Sequence, residues 1–376
     1  MQFLPVRPIC AAGRLPAQRR YGLPVPDGES ALNVLPVVPW LGAALLLVLL
    51  VALNVPPPTG RSPRTRVRGS ALADPRAAAA GLVAVLLLVL VARLGPERVG
   101  DNPVPALVVG LGWPLLFVVP AVVGLVRRLP AGPDDAPGAP RDVRPAVVGA
   151  VAVAGYLALV PSASAPRTLG YALGGYALAV LALGIALGAP AVARTEVLGL
   201  LVRWAALGPR LVHWHPPRGA AAVLAVVLAG AWVERAQRTA AWFELAPGRT
   251  DTVLLVVACG SVAGLGAMAL TRWSDGRSAP VLLPLAAAAV VAGVLRRALI
   301  SAQLLWDSVG PGAPGFDPDP LGVAGGQAAA LAVVVVGSVL AVTVLARRVG
   351  AGAARLPGTG VVLVLTGVSG YLVLAA

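Results

Sequence analysis

The chain has two histidines, His213 and His215, set two residues apart in "VHWHPPRG". In an extended segment such a pair faces one way, and imidazole is a common metal ligand. A zinc site needs at least three protein ligands, and the nearest acid, Glu196, is distant in sequence. The bland reading is a loop lying at lipid headgroups. A second constellation is "FDPDPLG", residues 316–322, where Asp317 and Asp319 could hold a hard cation or act as an acid and base. Interleaved with proline, these carboxylates read first as turn-shaping residues. His213, His215, Asp317 and Asp319 are thus weak metal candidates, and no catalytic residue, bound metal or cofactor is assigned.

A ligand site is the other chemistry to weigh. "DNPVPALVVGLGWPLL" begins at Asp101. Asp101 and Asn102 before a proline are cap and turn chemistry at a helix start. Pro114 and Pro120 lie inside the apolar run that follows, where they free carbonyls and can kink a helix around a ligand. The expected ligand positions are Asn102, Trp113, Pro114 and Tyr176. Arg296 and Arg297 follow the apolar run 280–295, whose length as a helix is about 24 Å. They read as the end of a span, snorkelling outward and close enough in sequence to pair with acids such as Asp307.

The elements that must position these residues are helices in lipid. Apolar residues make up 58% of the 376 and charged residues 12%, with a mean hydropathy of +0.84, which is the composition of a polytopic membrane protein. A bilayer core about 30 Å thick calls for about 20 apolar residues of helix. Ten stretches approach that: 35–53, 77–94, 105–126, 145–162, 169–193, 219–233, 252–271, 280–295, 324–346 and 360–376. The sixth and eighth are short and predict local thinning or little tilt. Connectors such as "NVPPPTGRSPRTRVRGS" are too polar and proline-rich to bury a core. The expected organisation is a polar, disordered segment at 1–34 and an all-α transmembrane bundle of about ten helices at 35–376, with no soluble domain and no visible internal repeat. Segment 1–34 has no apolar stretch of signal-peptide length.

The formal charge is +14, and every basic residue is arginine. The arginines cluster between apolar runs, so anionic lipid headgroups explain them better than nucleic acid does. Together with the Ala, Gly, Pro and Val bias, the lack of lysine fits a GC-rich bacterial genome. The odd-numbered connectors carry 18 of the 30 arginines; by the positive-inside rule they face the cytoplasm of a bacterial inner membrane, with both termini outside. Trp40, Trp232, Trp242, Trp273 and Trp306 fall near span ends, where indole prefers the headgroup boundary. Gly170/Gly174, Gly184/Gly188 and Gly260/Gly264 have the spacing that lets helices approach closely. Cys10 and Cys259 are too far apart in sequence to form a CxxC metal site, and Cys259 reads as a small apolar side chain.

No Asp, Glu or His falls in the middle of a predicted span, although such residues usually mark proton relays and ion-coupled transport. The polar groups inside, among them Tyr156, Ser162, Tyr171, Ser261, Gln327, Ser338 and Thr343, read as partners of neighbouring backbone.

The chain resembles the multi-pass bacterial membrane proteins called fenitrothion hydrolases. In that family one helix reads P-x-x-x-P, then, after seven residues, A-H-Y, with G-Q further on. Pro280, Pro284, Ala292 and Gln303 match and Ala302 takes a small-residue slot, while Gly293 and Val294 stand in the His and Tyr places. The family's G-H-V-A-G-L-V-L-A-H-D-R is similar to "GSVLAVTVLARR", residues 337–348, where Ser338 and Ala346 take the His places and Arg347 the Asp place. The third span resembles an N-L-A-P stretch with its Trp, but the family's G-D is Gly124-Leu125. "FDPDPLG" resembles an S-D-P-L-G loop, and "PRLVHWHPPRG" an R-L-x-x-x-P-P segment. The resemblance runs over about 35–376. It implies that the family's intramembrane His and Asp, its metal or proton-handling residues, are replaced here.

Three function classes follow. The first is a non-catalytic relative that binds lipid or a small apolar ligand, or supports a partner membrane protein. The second is a permease for a neutral or lipid-like solute, and the third a membrane-embedded metal-dependent hydrolase.

Overall fold

The computed structural model describes residues 75–95, 97, 102–126, 142–160, 163–245, 248–273, 278–309, 321–349 and 355–376. The expected first span at 35–53, the polar segment 1–34 and the acids Asp317 and Asp319 lie outside them. The described residues form helices joined by turns, with one isolated bridge between Asp142 and Arg218 and no strand.

The helices are α1 (Pro75–Leu94), α2 (Gly112–Val126), α3 (Ala146–Leu159), α4 (Pro166–Leu187), α5 (Ala189–Thr195), α6 (Val197–Ala205), α7 (Ala220–Ala236), α8 (Ala240–Glu244), α9 (Arg249–Trp273), α10 (Ala279–Val309), α11 (Gly322–Val349) and α12 (Arg355–Ala375). A short turn, Pro103–Pro105, and a π-helical stretch, Ala106–Leu111, lead into α2. Five segments are long and apolar enough to cross a bilayer: Pro166–Leu187, Thr250–Arg272, Ala279–Gln303, Gly322–Val349 and Leu356–Ala375.

Burial sorts these helices. In α10, 78% of the most apolar stretch is buried, against 11% in α4 and 17% in α9. The central helix α10 packs on α7 and α11, and α7 packs in turn on α3 and α9. On the outer helices the large apolar side chains point outward, as Leu178 and Ile185 do on α4 and Leu254 and Val257 on α9, which is the face a helix turns toward lipid. Trp232, near the end of α7, is buried inside the bundle. It is 1% exposed, and its indole donates to Ser369 Oγ of α12 at 2.9 Å, because a buried N–H needs a partner and α12 supplies one.

Helix boundaries differ from the expected spans in two places. The stretch 169–193 is two helices, since Gly188 adopts φ 79° and Pro190 opens the next one, a combination that ends a helix and starts another. The run that begins at 280 does not end at Arg296. α10 runs through Arg296 and Arg297 and is 31 residues long in all, roughly 46 Å.

Small-residue spacing marks a close approach at one end of the chain and not at another. A Cβ on Gly170 would sit 3.0 Å from Ala92 Cβ of α1, and one on Gly174 3.7 Å from Val89. Around Gly260 and Gly264 an added Cβ would meet nothing within 4 Å.

The connector between the fifth and sixth expected spans is folded. Val197, Leu200, Leu201 and Trp204 repeat at helical spacing, and all are at most 2% exposed. Glu196 caps α6, accepting from Leu198 N at 2.9 Å and Gly199 N at 2.6 Å. Trp204 stacks at a tilt on Trp214, with ring centroids 5.5 Å apart. Arg348 of α11 donates to Leu211 O at 3.2 Å and also to Trp214 O.

Contacts between connectors join like to like. At one end Val143 N donates to Arg218 O at 2.8 Å, and Arg348 reaches Leu211 O; these residues belong to the third, fifth and ninth connectors. At the other end Glu97 pairs with Arg167, Gln237 donates to Ala158 O at 3.1 Å, and Glu234 pairs with Arg297. Here the second connector meets the fourth, and the sixth meets the eighth and the end of α3.

Asp142 anchors the first of these ends. Arg144 Nε donates to both its carboxylate oxygens at 3.0 Å, and that guanidinium holds the carboxyl down at about 2, below its ordinary 3.8. A depressed folded pKa contributes stability above pH 3.8 that is lost as pH falls through about 2. Hydrogen exchange at Val143 N should therefore be slow and pH-independent in protection above pH 4, with protection falling toward pH 2. Asp142→Asn should remove that step.

Candidate functional site

A cleft of about 40 Å³ opens between α2, α3, α7 and α10. Trp113, Ala154, Gly230, Glu234, Val290 and Gly293 are among its walls. Small residues create it. A Cβ on Gly230 would come 3.2 Å from Ala154 Cβ, so α3 and α7 touch there, whereas one on Gly293 would meet nothing within 4 Å. Gly293 is therefore the open side of the hollow, which has room for roughly one small group.

Charge gathers at its even-connector end. Glu234 lies one residue past the expected sixth span, with its side chain 27% exposed. Arg238, one helical turn on, donates to Glu234 Oε1 at 2.8 Å, and Arg297 of α10 donates to the same oxygen. Arg235 lies in electrostatic reach of both Glu234 and Arg297. Burial, aided by Arg297, pushes the Arg238 guanidinium down to about 10, and it stays protonated at neutral pH. Three guanidiniums thus surround one carboxylate. The Nε atoms of Arg235 and Arg297 are buried and have no hydrogen-bond partner.

Of the four expected ligand residues, Trp113 lines the cleft and Pro114 follows it in α2. Asn102 is 0% exposed and caps the helix start: it accepts from Val104 N at 3.1 Å and donates to Val91 O at 3.2 Å. The Tyr176 hydroxyl donates to Glu196 and so ties α4 to the cap of α6. His213 and His215 are both exposed, on either side of buried Trp214. Glu234, Arg235 and Arg238 were legible only as connector charges. The signal that could have found them is the i, i+4 pair in "VERAQR", facing the doubled arginine 296–297 at the end of another short span.

Positions 293, 338, 346 and 347 do not form a metal site. Gly293 and Ala346 carry no donor, and Arg347 is a cation. Ser338 donates to Val334 O at 2.7 Å and shares a 2.7 Å hydrogen bond with Thr366 of α12. Among the described residues no three of His, Cys, Asp and Glu lie together. A Cβ on Gly337 would lie 2.8 Å from Pro284 O, so α10 and α11 approach closely there.

The described residues define a helical membrane protein with a largely apolar cleft whose wall includes Glu234, the carboxylate of an arginine-rich cluster. The chain matches no family model, no curated protein and no solved structure.

Proposed function

We propose that this chain is a non-catalytic, divergent relative of the fenitrothion-hydrolase-like proteins that binds a lipid or small apolar ligand, alone or in support of a partner membrane protein. One observation carries the reading. Gly293, in a His place of that family, leaves the cleft open, while Glu234, the acid facing it, is held by two guanidiniums. A carboxylate oxygen that takes hydrogen bonds from both guanidiniums is occupied by donors, so it is an encumbered base and an encumbered metal ligand.

The proposal places the chain in a bacterial inner membrane as a bundle of about ten helices without a soluble domain. The grouping of odd connectors at one end and even connectors at the other supports regular alternation. The odd end, richer in arginine, faces the cytoplasm, and the termini face out.

The test uses the full chain purified in mild detergent. Organic extraction and mass spectrometry should find a lipid or apolar ligand carried through purification, and the protein should not hydrolyse an organophosphate triester above the buffer rate. Turnover that disappears in Glu234→Gln would overturn the proposal.

A further inference from the structure

We infer that Arg235, Arg238 and Arg297 form a binding site for the negatively charged phosphodiester headgroup of a lipid, whose acyl chain begins in the cleft beside Gly293. This rests on the ligand-binding reading above and names its ligand class.

The first argument is charge. Three guanidiniums meet one carboxylate, leaving a formal excess of two positive charges in a partly desolvated place, where like charges repel more strongly than in water. Glu234 takes a hydrogen bond from Arg238 and one from Arg297, and so fixes two of the forks without neutralising the third. The Nε atoms of Arg235 and Arg297 are buried and still lack an acceptor. Guanidinium is a planar fork of donors that matches phosphate oxygens. The side chains of Arg238 and Arg297 stay 34% and 29% exposed, so an anion can reach guanidiniums already held in place.

The second argument separates a lipid from a free anion. The wall beyond the cluster is apolar, with Trp113, Ala154, Val290 and Gly293 along it. Free phosphate makes no use of such a wall, whereas the first methylenes of an acyl chain leave water by entering it. A lipid can also arrive sideways. α3 turns Val148 and Val151 outward next to the cleft, 73% and 53% exposed, so this side of the bundle is in contact with acyl chains when the helices are in a membrane. The hollow fits only the start of a chain, and the rest would lie along α3 among bulk lipid.

Two substitutions address the two halves. Arg235→Gln removes a cation that makes no hydrogen bond to Glu234 and leaves the Arg238 and Arg297 pairs intact. Gly293→Leu fills the hollow where an added Cβ meets nothing within 4 Å, and changes no charge. Binding to the detergent-purified full chain is followed by native mass spectrometry with phosphatidylglycerol, phosphatidylcholine and inorganic phosphate as separate probes. Phosphatidylglycerol should bind about tenfold more tightly than phosphatidylcholine. Arg235→Gln should bring the two lipids close to equal. Gly293→Leu should weaken both several-fold, and inorganic phosphate should not compete at millimolar concentration.

Equal binding of the two lipids by the native chain would overturn the headgroup assignment. If that binding were still weakened by Gly293→Leu, the broader ligand-binding reading would survive. Displacement of phosphatidylglycerol by inorganic phosphate would show a plain anion site and overturn the lipid assignment. Absence of any lipid binding would overturn both readings.

Discussion

Glu234→Gln destabilises the chain by about 2 kcal/mol, read as a shift in denaturant unfolding in mixed micelles. Removing one partner of a fully buried ion pair costs about 3–5 kcal/mol, because the other charge is left uncompensated. Here the side chains of Glu234, Arg297 and Arg238 retain 27%, 29% and 34% exposure, so solvent screens part of that penalty. The loss is larger than for a surface pair because three guanidiniums are left facing one another. The double change Glu234→Gln with Arg297→Gln should recover part of the loss, since it removes one of the repelling charges. A strictly additive result would contradict coupling between α7 and α10 through this pair.

Gly337→Ala is the second large effect. The new Cβ would overlap Ala288 Cβ and fall 2.8 Å from Pro284 O, and backbone at a helix crossing cannot swing aside as a flexible side chain can. α10 and α11 must separate along their contact. Overpacking of this kind costs about 1–3 kcal/mol, against a gain of up to about 1 kcal/mol from replacing glycine in a helix. A net loss of about 1–2 kcal/mol is expected by the same unfolding measurement. Gly260→Ala is the matched control: nothing lies within 4 Å of its Cβ, so stability should hold or rise slightly. Equal losses at the two sites would contradict the packing described for α10 and α11.

These paired glycines show where the sequence is legible and where it is not. Composition and apolar run length locate the helices, since 3.6-residue geometry and bilayer thickness leave few alternatives. α7 and α9 fall where 219–233 and 252–271 predict. Spacing alone cannot tell which small-residue pairs face a neighbour. Gly170 and Gly174 meet α1, while Gly260 and Gly264 meet nothing nearby, and the difference lies in the rotation of each helix about its axis, set by tertiary packing.

The folded connector carried a readable signal. Val197, Leu200, Leu201 and Trp204 make one apolar face, short enough to be passed over in a search for spans. The site was harder to see because its parts are far apart in sequence. Glu234 and Arg238 are one turn apart, but Arg297 is on another helix, and only the crossing of α7 and α10 brings it to them. Arg297 also has a partner across the bundle, since it pairs with Glu234 of α7. Trp113 was the expected ligand residue that the cleft keeps, whereas Asn102 and Tyr176 hold backbone and cap in place.

The central claim is that this bundle holds a ligand without the chemistry of the family it resembles. Elemental analysis of the detergent-purified full chain, beside a relative that retains the intramembrane His and Asp, tests it most directly. Metal in the relative and no stoichiometric zinc or iron in this chain is the predicted result. About one equivalent of metal here, lost on substitution of His213 and His215 or of Asp317 and Asp319, would contradict the account and favour the hydrolase reading.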